Sequence, residues 1–88
     1  MNRFIERDLD YYLGLNYEVT LRRMSRAESG SDEVRYLARI SLISGLMAEG
    51  TTAEEALANL ESVKRLAFEL MLKQGKEIPE PEFDTMPV

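Results

Sequence analysis

The chain has 88 residues, with 11 basic and 16 acidic side chains, a net charge of −5, and neither cysteine nor histidine. That length allows one domain with one small core, which pairing with a second chain would reinforce. The missing residue types exclude thiol nucleophiles, Ser-His triads, histidine general bases, disulfides and structural zinc sites. No apolar run reaches 18 residues and no signal-like segment precedes Asp10, so a cytoplasmic protein without a membrane span is expected.

Residues 1–14 read as a short helix, because Phe4, Ile5, Leu9, Tyr12 and Leu13 recur at helical spacings and Gly14 can end it. Residues 17–24 alternate as a half-buried strand, with Tyr17, Val19 and Leu21 on one side and Glu18, Thr20 and Arg22 on the other. Residues 25–33 are polar and read as an exposed connection. Residues 34–43 alternate again, with Tyr36, Ala38, Ile40 and Leu42 sharing a face. Ser44-Gly45 breaks that run, and Leu46-Met47-Ala48-Glu49 makes a third short strand ended by Gly50.

The strongest pattern follows. Thr52-Ala53-Glu54-Glu55 is a capping box with Thr52 as the N-cap. Ala53, Ala56, Leu57, Leu60, Val63, Ala67, Leu70 and Met71 then repeat at three and four residues, predicting a helix over 53–74. Glu61 with Arg65 and Glu69 with Lys73 are spaced as i,i+4 pairs, and Gly75 stands at the C′ position. Ile78-Pro79-Glu80-Pro81 must be extended, and residues 83–88 form a loose tail. The fold class is therefore α+β: a three-stranded antiparallel sheet packed on one long amphipathic helix, preceded by a short N-terminal helix. Residues 1–88 make a single domain, its core spanning about 8–82.

Charge is unevenly spread. Residues 1–44 balance seven arginines against seven acids, whereas residues 45–88 hold four bases and nine acids. A net-acidic chain is a poor nucleic-acid binder, and an acidic half favours a basic partner. Asp8 with Asp10, and Glu54 with Glu55, could be offered as catalytic carboxylate pairs. Glu55 belongs to a helix cap, and Asp8 and Asp10 face different sides of a helix, so neither pair reads as a catalytic site. No catalytic residue, metal ligand or cofactor site is expected. Arg22, Arg23, Arg26, Arg35 and Arg39 form the one basic cluster. With Glu18, Glu28, Asp32 and Glu33 nearby it reads as a solvated sheet face with ion pairs across it.

Tyr11-Tyr12-Leu13-x-Leu15-x-Tyr17 leads into a strand, and a second strand runs into Leu42-Ile43-Ser44-Gly45-Leu46. Gly50-Thr51-Thr52-x-Glu54-Glu55-Ala56-Leu57-x-Asn59 opens the long helix, which ends Gly75-Lys76-Glu77-Ile78-Pro79-Glu80-Pro81. Over about residues 8–82 this combination resembles the HicB-like antitoxin domain, whose usual pattern is two strands, "LPGC", "GDTxEEAL", a helix and "G-x-PIPEP". The chain departs at Ser44 and Leu46, which stand for Pro and Cys, and at Thr51, which stands for Asp. The resemblance implies a β-β-β-α core like a reduced ribonuclease H fold without its metal site. It also implies a prokaryotic toxin–antitoxin role, inhibiting a small basic ribonuclease toxin by covering its RNA-binding surface. The family's further C-terminal DNA-binding segment has no counterpart after Pro81, so a single-domain member is expected, without direct nucleic-acid binding.

The expected toxin contacts are Glu77, Glu80, Glu82 and Asp84, in the acidic second half. A homodimer or dimer of dimers is also expected, pairing edge strands or burying Tyr12, Leu15, Leu46 and Met47. The alternative function is a self-associating structural or regulatory module with no ribonuclease partner.

Overall fold

The structure is a computed structural model and describes residues 7–30 and 32–81. Its elements in chain order are α1 (Leu9–Leu13), β1 (Thr20–Met24), α2 (Arg26–Ser29), β2 (Arg35–Arg39), β3 (Met47–Gly50) and α3 (Ala53–Lys73). The strands form one antiparallel sheet in the order β1-β2-β3. The α+β class expected from periodicity is thus observed, with α3 packed across β3 and β2 and contacted by α1 at its far end.

Helix α3 owes its start to Thr52, whose hydroxyl accepts the Glu55 N–H at 3.0 Å. The reciprocal half of the expected capping box is displaced by one residue. The Glu55 carboxylate takes the Thr51 N–H at 2.6 Å and the Thr51 hydroxyl at 2.9 Å, instead of the Thr52 N–H. The helix stops in a Schellman motif: Lys76 N–H reaches Met71 O and Gly75 N–H reaches Leu72 O. Gly75 sits at φ 71°, the left-handed conformation that this motif requires and that costs glycine least. Ala56, Leu60, Lys64 and Phe68 form the buried stripe of α3. Phe68 is the centre of an aromatic cluster, with the Tyr17 ring 5.6 Å and the Tyr12 ring 6.1 Å from its own.

Four segments differ from what their sequence predicts. Residues 17–19 do not pair with a strand, so β1 begins at Thr20. Every residue of β1 except the half-buried Met24 is exposed, not half-buried as its alternation suggested. The reason is coverage, since α3 lies over β3 and β2 and leaves β1 overhanging. The connection at 25–33 contains a helical turn, α2, closed by a full capping box between Ser25 and Glu28. The second strand ends at Arg39. Ile40 still bonds Leu46 O, but Ile43 turns inward to the core between them and Leu42 is left 49% exposed. The first helix is only Leu9–Leu13 within the described residues. Asp8, expected inside it, is its N-cap and accepts the Tyr11 N–H at 3.0 Å. Residues 1–6 lie outside the described residues, as does the tail at 83–88.

Gly50 does more than end a strand. A Cβ there would stand 2.5 Å from the Ala56 amide nitrogen, so the first turn of α3 sits directly on it. This close approach lets the chain turn from β3 into the covering helix within two residues.

Candidate functional site

Beyond α3 the chain returns across the α1 end of the molecule and is fastened there. Ile78 is buried at 2% exposure. The Tyr17 hydroxyl donates to Pro79 O at 2.6 Å, and the Tyr11 hydroxyl donates to Glu80 Oε1 at 2.9 Å. Arg7 Nε donates to Glu80 Oε2 at 2.9 Å, with its guanidinium 5.4 Å from the centre of the Tyr11 ring. The Arg7 and Tyr11 hydrogen bonds hold the Glu80 carboxyl below the usual carboxylate range. The Tyr11 phenol is raised, mainly because its hydroxyl is bonded to Glu80. Burial, with the Glu80 charge adding to it, pushes the Tyr17 phenol up to about 12.

This clasp separates the four acids assigned to partner contact. Glu80 is held inside the chain by Arg7 and Tyr11. Glu77 is exposed. Glu82 and Asp84 lie outside the described residues. The clasp was not foreseen, although its components were all present in the sequence: Tyr11, Tyr17 and an Ile-Pro-Glu-Pro segment that must be extended. What links them is a separation of about 60 to 70 positions, which no local pattern reports.

The four residues assigned to a subunit interface also separate. Tyr12 and Leu46 belong to the chain's own core, at 7% and 3% exposure. Leu15 is half-buried against that core, and Met47 is exposed on β3. An interface drawn on the exposed surface therefore keeps only Met47 of the four as a fully presented side chain.

The arginines of the sheet face are spread over both sides of it. Arg22 grips Glu28 with both Nη atoms, at 2.9 and 2.6 Å, and Glu28 also accepts the Ser25 N–H. Arg22, followed by the Ser25 amide, pulls the Glu28 carboxyl down to about 2. Arg35 bonds Glu49 across the sheet at 3.2 Å. The acid nearest to Lys64 is Glu61, at 3.2 Å, rather than the expected Glu61–Arg65 partnership. Lys64 itself is buried along its stem and reaches out to that carboxylate. Arg35 and Glu49 were legible as a cross-strand pair once the register is known, since Glu49 faces Leu37, two residues from Arg35.

Among the described residues no group of three or more acidic side chains is placed to hold a metal ion, and no helix is long and apolar enough to cross a membrane. The concavities are open. An apolar groove lies between the 43–46 turn and the last turns of α3, lined by Ile43, Leu46, Val63, Ala67, Leu70 and Met71. Comparison with protein-family models, curated proteins and solved structures finds no match to this chain.

Proposed function

We propose that the chain is a HicB-like, antitoxin-type binding protein of the prokaryotic cytoplasm. It inhibits a small basic ribonuclease by covering its RNA-binding surface and has no catalytic activity of its own. The observation that carries this reading is the Gly75-to-Pro81 segment. The same residues that carry the family resemblance form the Schellman stop, the buried Ile78 anchor and the clasp to Tyr11 and Tyr17. The acidic second half supports it as well. Glu54, Glu61, Glu69 and Glu77 are exposed on α3 and the strap after it, and such a surface steers a basic partner. Because Glu80 is already engaged, Glu77 and the exposed helix acids carry the encounter in this reading.

Co-expression with a neighbouring small basic open reading frame tests the proposal. The expected result is rescue of growth and co-purification, with association slowing as salt rises beyond a Debye length of about 8 Å at 0.15 M. Absence of rescue and of any complex with an adjacent basic protein favours the second reading, a self-associating module. One observation speaks for that reading: the exposed outer edge of β1.

A further inference from the structure

β1 is one of the two edge strands of the sheet, and no strand of the described residues pairs with its free side. Val19 and Leu21 stand 39% and 41% exposed beside it. The sequence alternates as a strand from Tyr17, yet pairing begins only at Thr20, because β2 ends at the facing Arg39. Tyr17 is held in the chain's own core, but Glu18 and Val19 continue the strand pattern beyond the end of β2 and stand exposed, free to extend β1 against a partner from outside.

The direction of the free backbone groups follows from the ladder. Ile40 N–H bonds Leu46 O, so Ile40, Ala38 and Tyr36 direct their backbone groups to β3. Arg39, Leu37 and Arg35 then bond Thr20, Arg22 and Met24. The N–H and C=O groups of Val19, Leu21 and Arg23 are left pointing off the edge.

We propose that this edge pairs with the same edge of a second copy, antiparallel about a two-fold axis at Thr20. In that register Val19 faces Leu21 of the second copy and Glu18 faces Arg22, each contact occurring twice by symmetry. Val19 and Leu21 exchange the backbone bonds, and the two exposed apolar side chains cover one another on the side facing α3. On the outer face each Glu18, exposed and without an ion pair among the described residues, meets Arg22. Arg22 spends its two Nη atoms on Glu28, which leaves Nε for Glu18. Thr20 lies opposite Thr20 at a non-hydrogen-bonded position, where Cα atoms approach to about 4.5 Å. The neighbouring registers are worse. Sliding toward Met24 first sets Arg23 against Val19, then Arg22 against Arg22. Sliding toward Tyr17 sets Leu21 against Tyr17, whose ring is already buried on Phe68, and takes Glu18 off Arg22 onto Thr20. Charge and apolar exposure thus select one register, and pairing extends β1 back through residues 18 and 19 into a six-stranded sheet. This inference is independent of any ribonuclease partner.

The test uses the absence of native cysteine. Thr20→Cys places two thiols across the axis within disulfide reach, whereas Met47→Cys reports on the β3 edge. Under mild oxidation at micromolar concentration, T20C is expected to form a reductant-sensitive dimer and M47C to remain monomeric on non-reducing gels. Circular dichroism confirms that both variants are folded. Sedimentation of the native chain is expected to show a dimer, and Glu18→Arg to weaken it by roughly tenfold or more, since two ion pairs become two like-charge contacts. A native monomer at high micromolar concentration overturns the proposal. So does linkage of M47C equal to or greater than that of T20C, and an unchanged dissociation constant for E18R overturns the register.

Discussion

Tyr17 is the residue on which the ends of the domain meet. Its ring packs on Phe68 and its hydroxyl donates to Pro79 O from a buried position. Tyr17→Phe leaves that carbonyl without its donor and is expected to cost about 1 kcal/mol in urea unfolding. Because its phenol is raised from 10.0 to about 12, the folded state holds that proton more tightly. The stabilisation is complete below pH 10 and is lost as pH rises toward 12, so Tyr17→Phe is expected to flatten this alkaline limb. Glu28 has the opposite sign. Its carboxyl is lowered from 4.5 to about 2, so its contribution is present above pH 4.5 and lost as pH falls toward 2. Thermal unfolding of Glu28→Gln is expected to show a shallower acid limb over that window, with little change in the alkaline one.

At the level of elements, α3 was the most legible. Thr52 and Gly75 are local signals that stand where they were expected, and the three-and-four spacing marks the helix. The buried stripe, however, runs through Ala56, Leu60, Lys64 and Phe68, while Leu57 and Leu70 of the expected face are exposed. Thr52→Ala is expected to lose about 1 kcal/mol, read as a lower denaturation midpoint at unchanged slope. Gly50→Ala is expected to cost more, about 3 kcal/mol, because the added Cβ meets backbone of α3 and not a side chain that can move aside. Calorimetry of the two variants orders them. A Gly50→Ala variant as stable as Thr52→Ala means that the close β3–α3 approach is relaxed in solution. The strands were less legible for a reason visible in β1. Alternation reports which residues could share a buried face, not whether a helix covers that face. Leu42 illustrates the same limit. It continues the alternation of Ala38 and Ile40, but the chain turns after Arg39 and Ile43 takes the inward place instead.

Over the whole molecule, acidic residues that look equivalent in sequence have different tasks. Glu77 is free on the surface after α3, and Glu80 closes the clasp with Arg7 and Tyr11. Glu77→Lys is therefore expected to leave the melting temperature unchanged and to slow association with a basic partner, most visibly at low salt. Glu80→Lys is expected to lower the melting temperature, because it sets a cation against Arg7 and removes the acceptor for Tyr11. Paired melting and stopped-flow measurements separate the two. Equal melting temperatures would remove the clasp from the stability of the fold.

Local chemistry by itself determined the class of this protein. A capped amphipathic helix, alternating strands before it and an Ile-Pro-Glu-Pro segment after it leave few ways to bury the apolar residues other than a sheet under one helix. It also ruled out thiol and histidine chemistry, since absent residue types need no coordinates. Only tertiary structure decided that α3 covers β3 and β2 but not β1, that Tyr12 and Leu46 are core, and that Glu80 is bound within the chain. These outcomes depend on contacts between residues distant in sequence, such as Tyr11 with Glu80 and Tyr17 with Pro79, whose geometry exists only once sheet, helix and returning strap have docked.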